Sequence, residues 1–260
     1  MKEWRNVQFV PLGDSSVLVR AGEAIDESMH RWIMAVMQLL ESKRFEGMIE
    51  CVPSFAAIAV HYDPLTIWRS RSPQERGHES VFHTVCARVK ELLSQLQEKV
   101  ENSLQQQRVV TIPVCYGGNY GPDLLGVAHH CGLPEEEVVS IHTSGLYLVY
   151  MIGFAPGFPY MGGMSSSIAA PRRKTPRTGI PAGSVGIAGA QTGVYPLATP
   201  GGWQLIGRTP LPLFLPDQPI PSLLRAGDEV KFEAISERQF MEWEALYRSG
   251  SHHGQEVGGR

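Results

Sequence analysis

The chain has 260 residues, 43% of them hydrophobic and 19% charged, with a formal net charge of -3. That length holds one large domain or two small ones with a real core, and the composition is that of a soluble globular protein. A slightly acidic total offers no general attraction for nucleic acid.

The opening residues MKEWRNVQFVPLGDSS carry no long apolar run, which predicts neither a signal peptide nor a membrane anchor. The four cysteines, Cys51, Cys86, Cys115 and Cys131, are widely spaced and form no CxxC, so they read as reduced thiols of a cytoplasmic protein without a metal site. Two strand-like runs, NVQFVPL and SSVLVRAG, flank Gly13-Asp14. Residues 26–43 read as a helix: Asp26 can cap its start, and Met29, Ile33, Val36, Met37 and Leu40 recur at helical spacing. GMIECVPSF and AAIAVHYDP read as two strands near a turn, and residues 80–101 as a second amphipathic helix ending in polar NSLQQQ. Strands and helices interleaved in this order predict a small α/β domain over residues 1–105 of an α+β protein.

Beyond the Gln-rich link the texture changes, and residues 106–248 read as a second domain. RVVTIPVCY is a strand, and GPDLLGVAHHCGLPEEEVVSIHTS predicts two short helices broken at Gly132-Leu133-Pro134. From Gly145 to Leu215 no helical period occurs. Short β-rich pieces alternate with PG, GG, TG and TP, as in an antiparallel barrel or sandwich. Within them Tyr147–Ile152 reads as a barrel strand and Gly153–Gly163 as a rigid aromatic turn. DEVKFEAIS adds a late strand and ERQFMEWEALYRSG a final helix. Residues 249–260 have too little apolar content to fold and read as a disordered tail.

The most telling feature is an absence. Between Glu137 and Asp217 there is no Asp or Glu, and after His142 no His until His252. The ionisable groups of consequence there are Arg172, Arg173, Lys174, Arg177 and Arg208, so the window carries +5 and the rest of the chain -8. Such a segment supplies no carboxylate pair, imidazole base or metal cluster. It can bind anions through arginine forks and Gly-rich backbone. With no local counter-ions the cations predict an anion or an acidic partner, against the plainer reading of a solvated basic loop.

Other motifs carry less. AGSVG (Ala182–Gly186) lacks the first glycine of a nucleophile elbow and reads as a tight turn, and no Gly-Lys dipeptide occurs for a P-loop. The serines of MSSSIAAPRRK near Lys174 read as a flexible loop. His129 and His130, adjacent on a helix, lack the spacing of metal ligands and read as one exposed and one packed; His142 is the histidine retained as a candidate functional group. Gln191, Thr192, Thr199, Gln204 and Thr209 punctuate β-type residues around Trp203. There Gly201-Gly202 would permit close approach of a ligand, and the uncharged groups beside an arginine suit a small acid bearing an amide.

YMIGFAPGFPYMGGM, TIPVCYGGNYGPDL and PRRKTPRTGIPAGSVGIAGAQTGVYPLATPGGWQLIGRTP closely resemble the family of the 5-oxoprolinase B subunit. That family is also called allophanate hydrolase subunit 1 and includes the kinase inhibitor KipI. The resemblance runs from GDSSVLV to AGDEVKF and implies a small N-terminal α/β domain followed by a cyclophilin-like β-barrel. It implies one component of a bacterial ATP-dependent 5-oxoprolinase, opening the lactam of 5-oxoproline to glutamate with partner A and C subunits. ATP would be a co-substrate of the complex whose site this chain does not reveal. Two alternatives stay open: a KipI-like inhibitor of a sporulation sensor histidine kinase, and a protein related to part of urea carboxylase or allophanate hydrolase. On the first reading the active site is shared, and no catalytic residue is assigned here. Arg172 and Arg177 are candidates for the substrate carboxylate or an acyl-phosphate. Gln191, Thr192 and Gln204 are candidates for the lactam, Arg208 for a second anion ligand, and Phe154, Pro156, Phe158 and Tyr160 for docking a sister protein of the complex.

Overall fold

The computed structural model describes residues 7–22, 27–95 and 108–248; the expected cap Asp26, the Gln-rich link and residues 249–260 lie outside them. Two units divide the chain, Met1–Gln106 and Gln107–Arg260. In the first, β1 (Gln8–Pro11), β2 (Ser16–Arg20), β3 (Met48–Pro53) and β4 (Ala57–Tyr62) form an antiparallel sheet of order β1-β2-β4-β3. Strand alternation puts Val17 and Val19 on one face, with Ile58 and Val60 buried beside them. Onto that core pack α1 (Glu27–Ser42), through Met29, Ile33, Val36 and Leu40, and α3 (Val81–Ser94), through Val85 and Val89. Burial pushes the thiols of Cys51 and Cys86 up to about 12 and about 11.

Between β4 and α3 lies a short helix that the sequence reading does not include, α2 (Pro64–Arg69). Its start is chemically ordinary. Asp63 accepts hydrogen bonds from the Leu65 amide at 2.9 Å and the Thr66 hydroxyl at 2.6 Å, and Pro64 occupies the first turn, where no amide is needed.

The second unit begins with β5 (Val109–Tyr116), α4 (Leu124–Cys131) and α5 (Glu135–Ser144). The break between the helices falls where expected, because Gly132 takes the left-handed conformation (φ 69°) that ends α4. Then come β6 (Leu146–Ile152), β7 (Pro159–Gly162), β8 (Arg177–Ile180), β9 (Ser184–Ala188), β10 (Gln191–Val194), β11 (Thr199–Gly201), β12 (Gln204–Arg208), β13 (Glu229–Ala234) and α6 (Glu237–Arg248). Seven strands close into a barrel of order β10-β7-β6-β13-β5-β12-β9, β9 returning to β10, while β8 and β11 form a separate ribbon.

The barrel is not purely antiparallel, as the sequence suggests. β13 runs parallel to β5, Glu229 facing Val109 through to Ala234 facing Val114. Alternation of apolar residues encodes which face is buried, not the direction of a partner that arrives more than a hundred residues later. The aromatic turn is also shorter than expected. Residues 159–162 pair with β6 as β7, so the turn itself is confined to 153–158.

Candidate functional site

The acid-free segment is not without a counter-ion. Gly117 and Gly121 lay the loop after β5 along β12: the Gly117 amide donates to the Ile206 carbonyl at 3.1 Å, and a Cβ on Gly121 would lie 2.0 Å from that same oxygen. This close approach brings Asp123 against β12. Asp123 stands at the N-cap position of α4 but its side chain does not cap it. Its amide donates to the Leu205 carbonyl at 2.8 Å, and its Oδ2 accepts from the Leu205 amide at 2.7 Å. Two arginines from the basic loop then close on the carboxylate. Arg177 forks onto it, Nη1 to Oδ2 and Nη2 to Oδ1, both at 2.8 Å; Arg173 Nη1 donates to Oδ1 at 2.9 Å.

Burial pushes the Asp123 carboxyl up, but the Arg177 hydrogen bonds, the Leu205 amide and the two guanidinium charges outweigh it and hold it below the usual carboxylate range. The same bonds raise Arg177 above its ordinary value. One carboxylate against two guanidinium groups leaves the cluster net positive, and Arg172 and Lys174 stand exposed beside it in the chain. The loop is stitched down by the Arg173 amide donating to the Gly202 carbonyl at 2.7 Å and by Gln204 Nε2 donating to the Pro171 carbonyl at 2.9 Å. Gln204 and Pro171 line a shallow concavity of about 220 Å³ with Gly126, Val127, His130 and Ala170. α4 thus brings an imidazole to a segment that has none of its own. Nothing in the sequence pattern gives Asp123 or His130 a role, and both α4 histidines are exposed rather than one packed.

The other expected residues fall elsewhere. Arg177 has its fork engaged by Asp123, so Arg172 is the arginine of that pair left exposed. Thr192 is fully buried and cannot meet a ligand. Its hydroxyl donates to the Gly186 carbonyl at 3.1 Å and lies 2.9 Å from His142 Nε2, which fixes that nitrogen as the protonated one. Nδ1 then accepts from the Tyr116 hydroxyl at 2.7 Å. His142, a functional candidate by sequence, is instead a neutral interior group stacked on Phe232, and burial lowers its imidazole to about 3. Arg208 lies three residues beyond Leu205 on β12, about 10 Å along the strand. Its Nε donates to the Ala182 carbonyl at 2.8 Å, and its Nη2 approaches Glu244 of α6 at 3.9 Å. Gln191 sits half-buried at the β9–β10 hairpin, opposite Ala188, with no hydrogen bond to the Asp123 cluster among the described residues.

Of the four docking candidates, Phe158 is buried, packed edge-on against Tyr195 and Trp203. Gly201 serves that packing and not a ligand, since its Cβ would fall 2.5 Å from the Tyr195 hydroxyl. Tyr160 is half-buried, and Pro156 is exposed. Phe154 is 66% exposed and held at φ 69°, a strained conformation for an aromatic residue. Among the described residues no group of three or more His, Cys, Asp or Glu is placed to hold a metal, and no helix is long and apolar enough to cross a membrane.

Comparison with known proteins agrees with this architecture. Residues 7–224 match the family of the carboxyltransferase domain, subdomain C and D. The chain is 52% identical to the 5-oxoprolinase B subunit of Bacillus subtilis (strain 168), over 90% of this chain and 95% of that one. It is 56% identical to the corresponding B subunit of Escherichia coli O157:H7, over 85% and 93%. Among solved structures, TTHA0988 superposes with a TM-score of 0.68 at 34% identity, over 85% of this chain. This chain spans only 40% of the length of TTHA0988, so there the same fold is one part of a longer polypeptide. A matched family model across most of the chain, and relatives of more than half identity at nearly full length, place this protein in the carboxyltransferase subdomain C and D family, among the 5-oxoprolinase B subunits.

Proposed function

We propose that this chain is the B component of an ATP-dependent 5-oxoprolinase and contributes the anion-binding wall of a site completed by sister subunits. The supporting observation is the net positive cluster at Asp123, set beside a concavity that offers an imidazole and an amide but no carboxylate base. Arg172, with Lys174 next to it, would bind the substrate carboxylate or an acyl-phosphate. Asp123, Arg173 and Arg177 would hold the loop that presents them. Gln204 and His130 would face the lactam. A lactam held this way needs ATP and an activated water from elsewhere, since the chain has no Gly-Lys dipeptide for a P-loop. The longer polypeptide of TTHA0988, of which this chain spans 40%, fits a fold that works against a further protein surface, and the exposed Phe154 and Pro156 are suited to that contact.

The test is reconstitution with the A and C subunits. Alone, the chain should show no 5-oxoproline-dependent ATP hydrolysis, while the complex should. In the complex, Arg172→Ala should raise KM for 5-oxoproline at least tenfold, and His130→Asn should lower kcat by about 10²-fold or more. Full activity without partners would end the shared-site reading, and unchanged kinetics in both variants would end the assignment of the site.

A further inference from the structure

The first unit holds a cation that no described carboxylate answers. Arg71 lies two residues beyond α2 and is only 8% exposed, yet its Nε is buried without a hydrogen-bond partner. Among the described residues no carboxylate reaches it. The nearest candidates in sequence are engaged elsewhere: Glu75 takes Arg88 through Nε at 2.7 Å and Nη2 at 3.0 Å, and Asp63 starts α2. What does attend Arg71 is an indole, its guanidinium carbon lying 3.6 Å from the centre of the Trp68 ring. Trp68 is 57% exposed, and Leu65, one turn earlier on the same helix, 64%. Arg69 and Arg76 are exposed on either side in sequence.

A buried guanidinium Nε without a hydrogen bond, on a cation with no carboxylate beside it, is costly, and stacking on one ring offsets only part of that cost. Burial of the stem, an open indole roof and a neighbouring exposed leucine together make a half-built interface centre, where tryptophan and arginine contribute most. We infer that Arg71, roofed by Trp68 and flanked by Leu65, is a socket for an Asp or Glu side chain of a sister subunit, with an apolar residue beside that carboxylate covering Leu65. A free carboxylate or phosphate would satisfy the charge but leave the apolar surface open, which is why a protein is the better occupant. The inference rests on the chain working in a complex, but not on the Asp123 site, which lies in the other unit.

The experiment measures the Kd of the full chain for the purified A and C subunits at several salt concentrations, with 5-fluorotryptophan in the chain as a local probe. Trp68→Ala and Leu65→Ala, both at exposed positions and each checked for folding by its Tm, should each weaken assembly at least tenfold. Arg71→Met, which keeps the length of the stem, should weaken it similarly and flatten its salt dependence, and Arg71→Lys should recover part of the affinity. Normal assembly by Trp68→Ala and Leu65→Ala would overturn the proposal while leaving the function of the second unit standing. Failure of the wild-type chain to assemble would overturn both. Saturable 5-fluorotryptophan shifts with inorganic phosphate or acetate, lost in Arg71→Met while assembly is unaffected, would overturn the docking role in favour of a small-anion site.

Discussion

Asp123→Asn tests the arginine cluster most directly. The substitution keeps the shape of the side chain but removes the charge that holds Arg173 and Arg177 at 2.8–2.9 Å, and it points an amide donor at a guanidinium or at the Leu205 amide. Removing one partner of a fully buried ion pair costs about 3–5 kcal/mol. Here Asp123 is 8% exposed but the Arg173 and Arg177 side chains are 36% and 23% exposed. Water therefore recovers part of the loss, leaving roughly 2–3 kcal/mol. For a unit of this size that lowers Tm by about 4–12 °C. The pH dependence has a definite sign. The folded carboxyl lies below its unfolded value, so its contribution is complete above the unfolded value of about 3.9 and disappears as pH falls through the folded one. Calorimetry of both proteins between pH 7 and pH 3 should show a gap at neutral pH that narrows in acid. A variant within about 1 °C of wild type at pH 7, or a gap that stays constant to pH 3, would refute the reasoning.

Two further outcomes concern other residues of the second unit. His142 is lowered from 6.5 to about 3, so the unfolded chain takes up its proton first and stability is lost as pH falls from 6.5 toward 3; that interval is worth at most roughly 5 kcal/mol. Denaturant titrations of His142→Gln should give a less stable protein at pH 7 whose stability depends less on pH in that window, and equal slopes would contradict a neutral interior imidazole. Phe154→Gly relieves the positive φ, worth about 1 kcal/mol, against a similar entropic cost of glycine, so Tm should stay within about 2 °C. Affinity for the sister subunits should drop at least tenfold, whereas unchanged affinity would remove Phe154 from the docking face.

What the sequence makes legible is local. The stripe of Met29, Ile33, Val36, Met37 and Leu40 predicts a buried helix face because side chains spaced by three and four residues share one side; four of them are buried, and Met37 is half-buried against the same core. Gly132 and Pro134 mark the break between α4 and α5 because one suits the left-handed cap and the other cannot continue a helix. The Asp63-Pro64 start of α2 carries an equally local signal, a capping carboxylate before a proline, although the helix it opens is too short to show a period. The long basic motif, with its family resemblance, marks the region of the site but not the role of each residue in it. Thr192 and Phe158 are both buried by residues distant in sequence, Thr192 beside His142 and Phe158 against Tyr195 and Trp203.

The sequence by itself determined the long helices, most of the strands of the first unit, the change of texture between the two units and the absence of any acid from Val138 to Pro216, since each depends only on neighbours along the chain. Tertiary structure decided the parallel pairing of β13 with β5, the burial of His142 and above all the place of Asp123, fifty residues before Arg173. Charges pair through space, and the carboxylate that neutralises a basic loop can come from any segment the fold lays beside it. Here that segment is the Gly-rich turn before α4, carried to β12 because Gly121 has no side chain to hold it off.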